Sequence, residues 1–149
     1  MSETWWPSTA EVASLVTART IDENGVEQGN FTATTRPTAT QVTVLIEQSA
    51  ALINSVTGGQ DIPAGLADGA IKSLVSLRTA MAVELSYFPE QVGGDSSPFE
   101  SLQSMYRDEF ERVSVAIDRA VSDESGDGLG VSAGEARWKM PYPSETMEF

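Results

Sequence analysis

Apolar residues along this chain recur mostly at helical spacing, and the recurrence stops at capping residues, prolines and paired glycines. Ser8, Thr9, Ala10 and Glu11 read as a capping box: the serine hydroxyl can accept from the backbone three residues on, and the glutamate can reach back. Val12, Leu15 and Val16 follow at helical spacing, which predicts a short first helix over about Thr9 to Ala18. Thr38 and Gln41 repeat the device, and Val42, Leu45, Ile46, Ile53 and Val56 then line one face until Gly58 and Gly59 supply a left-handed stop. A second helix is predicted near Thr38 to Thr57. From Leu66 to Phe88 the apolar positions cover more than one face and charges are few, the pattern of a helix with neighbours on several sides. That segment, about Ala64 to Phe88 and ended by Pro89, is expected to be the central helix. Ser97, Pro98 and Glu100 then mark a sharp start for a fourth helix to Ser122, roughly 37 Å long, with Phe99, Leu102, Tyr106, Phe110, Val113, Ile117 and Val121 on its buried face.

Two stretches escape this pattern. Between Thr20 and Arg36, Asn24 and Gly25 suit a tight hairpin turn flanked by Ile21 and Val26, which predicts a hairpin or extended arm whose polar strands stay out of the core. The arm ends in FTATTRPTATQV, where the threonines and the residue before Pro37 favour extended backbone and Thr38 starts a helix, so the segment reads as a built junction. At Asp123 the composition changes abruptly. DESGDGLGVSAGE reads as a flexible spacer, and ARWKMPYPSETMEF adds prolines and aromatics with no helical period. The expected fold is therefore mainly α: a four-helix bundle-like core over residues 1–122, an arm over about 20–36, and an extended tail over 123–149.

Composition narrows the function. A chain of 149 residues most simply makes one domain. Its 22 acidic and 9 basic residues give a net charge of −13, which disfavours a grip on nucleic acid through phosphates. Cysteine and histidine are both absent, so disulfides, thiolate metal sites and imidazole proton transfer are unavailable; carboxylates, Lys72 or Lys139 would have to carry any catalysis. The N-terminus lacks a basic segment followed by an apolar one, and Asp68, Lys72, Arg78 and Glu84 interrupt the most apolar region, so a soluble chain without membrane contact is expected.

Candidate chemistry is thin. A calcium hand starting at Asp22 would need glycine and glutamate where Glu27 and Ala33 stand, and one starting at Asp123 meets Gly134 at its twelfth position, with Glu135 one residue late. Glu109 and Glu111, two apart on a helix, point in different directions and suit a solvated face better than paired acid–base work. With no phosphate loop, nucleophile elbow or ligand cluster, the chain is read as a non-enzyme without metal or cofactor. The aromatics point instead to contacts. Trp5 and Trp6 before Pro7 can either staple the start of the first helix or face a partner. Trp138 and Tyr142, interleaved with Arg137 and Lys139, sit in a tail with no core of its own, which favours a partner surface.

The order of WWPS, EVASLV, the hairpin, FTATTRPT with its following helix, the YFPEQ corner and SPFE resembles the head-to-tail adaptor proteins of long-tailed bacteriophages, over Trp5 to about Ala120. Those small helical connectors form a ring beneath the portal. The resemblance implies a structural virion protein at the head–tail junction, assembled in the host cytoplasm. It would dock on the portal clip as a homo-oligomeric ring matching the portal's twelve-fold symmetry, present a surface to a stopper or tail-completion protein, and let the genome pass through its lumen. It also implies a tail directed to the portal clip or a neighbouring copy. An acidic lumen would let DNA slide without sticking, which fits the charge independently. The arm is suited to reach a neighbouring subunit or to fold back on its own. The rival reading is a monomeric acidic binding module, such as a nucleic-acid mimic occupying a basic groove.

Overall fold

The computed structural model describes residues 5–56, 67–87 and 98–124. It is mainly helical, with four α-helices: α1, Thr9–Leu15; α2, Ala39–Val56; α3, Lys72–Tyr87; and α4, Phe99–Glu124. The tail beyond Glu124, the Gly58–Gly59 stop and the Pro89 corner lie outside the described residues.

The capping boxes predicted at α1 and α2 form, while Ser97, predicted to cap α4, lies outside the described residues. At α1 the Ser8 backbone N–H donates to Glu11 Oε2 at 2.6 Å, and Ser8 Oγ accepts from the Glu11 N–H at 3.2 Å. At α2 the Thr38 N–H donates to Gln41 Oε1 at 2.9 Å, and the Gln41 N–H returns to Thr38 Oγ1 at 3.3 Å. Each box satisfies backbone donors that the first turn of a helix leaves without intrahelical partners. The first helix is shorter than its apolar spacing predicts. It ends at Leu15, Val16 leaves helical geometry at φ −136° and ψ 48°, and a separate 3₁₀ turn runs over Thr17–Arg19. This break turns Arg19 toward α3, where it has a charged partner.

α3 is the centre of the fold and packs against α1, α2 and α4. A π-helical turn over Ala67–Ile71 leads into it. Ile71, Leu74, Val75, Leu77, Ala80 and Val83 are buried, meeting Val12 and Val16 before α2, Val42, Ile46 and Ile53 of α2, and Leu102, Phe110, Val113 and Ile117 of α4 in one cluster. The buried hydroxyls along α3 bond their own helix: Thr79 donates to the Val75 carbonyl and Ser76 to that of Lys72, both at 2.8 Å. Polar groups inside a core must find such partners. Glu84 is the exception in kind, a carboxylate with only 2% of its side chain exposed, held by Arg19 Nε at 2.9 Å and Nη2 at 2.7 Å.

The segment between Thr20 and Arg36 corrects the expectation of a polar hairpin outside the core. The turn at Asn24 and Gly25 is present, with Gly25 at φ +78° and the Asp22 N–H donating to the Val26 carbonyl at 3.0 Å. No strand forms among the described residues; two isolated antiparallel bridges, Ile21 to Glu27 and Asp22 to Thr35, stand in its place. Side-chain bonds compete with the ladder here, as short hydroxyl and carboxylate side chains do. Asp22 Oδ1 accepts from the Asn24 and Val26 N–H groups, and Thr20 Oγ1 accepts from that of Gly29. The ends of the segment are core after all: Thr20, Phe31 and Thr35 are buried. The loop therefore folds back on its own subunit at its base.

The threonine junction is likewise a corner and not a continuous extended run. Thr35 Oγ1 accepts from the Thr32 N–H at 2.8 Å and lies 3.1 Å from the Thr32 carbonyl and 2.9 Å from that of Pro37, across a cis Arg36–Pro37 bond. The Thr32 carbonyl also accepts from the Ala39 N–H at 2.8 Å, tying the corner to the first turn of α2.

Two substitutions test this packing by denaturant unfolding. Leu74→Ala should destabilise by about 2–5 kcal/mol, as large-to-small changes at filled core positions do; a change within about 0.5 kcal/mol, the range of ordinary surface substitutions, would remove Leu74 from the core. Arg19→Ala should cost about 3–5 kcal/mol because it strands a buried carboxylate, and the double change Arg19→Met with Glu84→Met should cost less than that single one. A double variant as unstable as Arg19→Ala would mean that packing, and not the charge pair, holds the 3₁₀ turn to α3.

Candidate interaction surface

Three surface features are built from the helices. The first surrounds the N-terminal tryptophans. Trp5 is buried, at 7% exposure, within the common core, and Trp6 is half-buried against it; the rings meet edge to face with centroids 6.2 Å apart and planes at 74°. This is the staple geometry, with the aromatic pair closing the start of α1. Trp5 therefore offers a partner little surface, whereas Trp6 lines a shallow cleft with Pro7, Thr43 and Glu47. The Trp6 indole Nε1 is buried without a hydrogen-bond partner.

The second feature joins α1 to α3 at the edge of that cleft. Lys72 Nζ lies 2.7 Å from Glu11 Oε1, so the glutamate that closes the capping box also takes a cross-helix ion pair. The Lys72 ammonium, followed by the Ser8 backbone N–H, holds the Glu11 carboxyl below its ordinary value. Both groups favour the charged form.

The third feature is lined mostly by apolar side chains. α2 and α4 both lie on α3, and between them runs a groove of about 590 Å³ with α3 as its floor. Leu45, Leu52 and Val56 form one wall, Met81, Ala82 and Leu85 the floor, and Phe99, Tyr106 and Phe110 the other wall. Leu85, at 48% exposure, is among the most exposed large apolar side chains of the described residues. Arg78 and Arg107 supply the positive charge of this groove in a strongly acidic chain. Burial pushes the Tyr106 hydroxyl above its ordinary value, opposed by the Arg78 guanidinium that hydrogen-bonds it. Tyr106 is thus a neutral hydrogen-bonding group at physiological pH on a wall that α4 also lines with Phe99, Gln103, Arg107 and Phe110. The arrangement can bury apolar or aromatic side chains and hold an accompanying carboxylate at its edge.

Of the residues singled out in the sequence, Trp5 and Trp6 are brought together at the start of α1. Arg137, Trp138, Lys139 and Tyr142 lie outside the described residues. Asp22, weighed above as a calcium ligand, spends its oxygens on its own loop, including Gln28 Nε2 at 3.0 Å. Sequence reasoning missed the groove. Its signal was present in the all-round apolarity of α3, which requires a cover on every face, but which face α2 and α4 leave open is a matter of how they diverge. No helix among the described residues is long and apolar enough to cross a membrane. Comparison with protein-family models, curated proteins and solved structures finds no match to the chain.

The Glu11 pair predicts a pH dependence. A carboxyl held low in the folded state adds stability above its unfolded value, near 4.5, and loses it as pH falls through the lowered folded value. Lys72→Met, which removes the largest cause, should therefore lower the melting temperature at neutral pH, and the gap from the parent should close as the pH is taken below 4.5. A gap that persists unchanged in acid would assign the effect of Lys72 to packing.

Proposed function

We propose that this chain is a head-to-tail adaptor: a structural, non-catalytic virion protein that docks on a portal as a ring and joins the DNA-filled head to a stopper or tail component. The observation that carries the reading is the ordered series WWPS, FTATTRPT, YFPEQ and SPFE, and the FTATTRPT stretch is a hydrogen-bonded corner that sets the direction of α2. A mainly helical core with four helices is compatible with a small connector subunit. The finer architecture belongs to the same proposal: a bundle-like core, a loop between α1 and α2 facing the subunit's surroundings at its tip, and an extension after α4 that engages the portal clip or a neighbouring copy. Glu23 to Asn30 is exposed, so the tip is available for such a contact while its base is fixed by Thr20 and Thr35.

The net charge of −13 supports passage of DNA through a ring without retention, because a like-charged wall does not bind phosphates. In this role the chain needs no cofactor and no membrane. Heads from a phage lacking this protein should contain packaged DNA yet fail to join tails, and adding the purified protein should restore joining. Normal tail attachment in the deletion mutant would overturn the adaptor reading; a monomer that competes with DNA for a basic protein would replace it with the nucleic-acid mimic.

A further inference from the structure

The groove between α2 and α4 and the aromatic segment beyond α4 complement each other. Trp138 and Tyr142 offer large apolar faces with one polar tip each, and Glu145 and Glu148 follow within a few residues. The groove offers apolar walls from Leu52, Leu85 and Phe110, the hydroxyl of Tyr106, and the charges of Arg78 and Arg107. We infer that the groove is the seat for residues 137–149 of a neighbouring copy of this chain, so that each subunit of an assembly gives one segment and receives one. The inference rests on the ring reading above and names the surface through which adjacent subunits are linked.

Reach permits it. From Glu124, the last residue of α4, to Trp138 there are 14 residue steps, roughly 46 Å when extended at about 3.3 Å each. A domain of this size is roughly 35 Å across, from the usual scaling of radius with chain length. The segment can therefore leave its own subunit and enter the groove of the next. Its own groove is also within reach, since Tyr106 lies 18 residues back along α4, roughly 27 Å. A head-to-tail exchange closes into a ring when every copy repeats the same contact. Aromatic anchors in an apolar groove, with carboxylates near arginines at its edge, would supply both the affinity and the register.

The absence of cysteine makes the test direct. Gln103→Cys places a thiol on the α4 wall of the groove, and Lys139→Cys places one beside Trp138. The two full-length single-cysteine variants are mixed, assembled alone or on portal rings, oxidised, and separated on a denaturing gel. Assembly is followed in parallel by light scattering and negative-stain imaging. The expected result is a cross-linked dimer severalfold more abundant than with Asp108→Cys, an exposed position of α4, in place of Gln103→Cys. Leu85→Glu, a change at an exposed floor position, should reduce that dimer severalfold without shifting the melting temperature. Rings that form without the Gln103 to Lys139 cross-link would overturn the groove assignment and leave the adaptor reading intact. A variant carrying both cysteines that closes within one chain at high dilution, while the mixture stays uncross-linked, would overturn it in favour of the subunit's own segment. If no assembly larger than the monomer forms with or without portal, the ring reading fails, and the exchange with it.

Discussion

A carboxylate taken out of water has to be neutralised or paired, and Glu84 is paired with Arg19 through two hydrogen bonds across 65 residues of sequence. With the more exposed Lys72 to Glu11 pair, it adds charged links between parts of the molecule that also meet through apolar packing. On one side it fixes the 3₁₀ turn that ends the first helical segment, from which Thr20 and the loop to Thr35 depart. On the other it locks the rotation of α3, and the rotation of α3 decides which of its faces meet α1, α2 and α4. α3 supplies most of the surface through which the helices meet, with α1 and α2 also in direct contact.

The same rotation creates the groove. A helix with apolar residues on every face can be enclosed only if its neighbours converge around it, and α2 and α4 cover α3 from two sides without closing over Met81, Ala82 and Leu85. The result is an apolar channel with an arginine and a tyrosine held in place along it. An apolar surface of this kind tends to gain a partner, because covering it releases hydration water at little cost in order when the walls are already fixed. The adaptor reading and the exchange of segments both follow this logic: an acidic surface that disfavours a grip on DNA phosphates, and an apolar groove suited to holding protein.

The loop between α1 and α2 illustrates a division of labour within a few residues. Its base is buried and hydrogen-bonded through Thr20, Thr35 and Phe31, while Glu23 to Asn30 is exposed. Period-two reasoning found a turn at Asn24 and Gly25 but not the absence of strands, because the Asp22 carboxylate and the threonine hydroxyls take the backbone donors that a ladder would use.

What the sequence determined by itself was local. The capping boxes of α1 and α2, the apolar face of α2, the burial of α3 and the inner face of α4 are set by interactions between residues three or four apart, so spacing and residue type suffice to find them. The threonine corner was legible as a junction for the same reason, although its folded-back shape was not. The early end of α1, the Arg19 to Glu84 pair, the burial of Thr20 and Phe31 and the groove were decided by tertiary structure. Each depends on groups brought together from distant parts of the chain, and no local period encodes which distant side chain will stand opposite a given position. Arg19 and Glu84 look like ordinary solvated charges until the fold removes Glu84 from water, and Leu45, Leu85 and Tyr106 look like ordinary core until two helices diverge above a third.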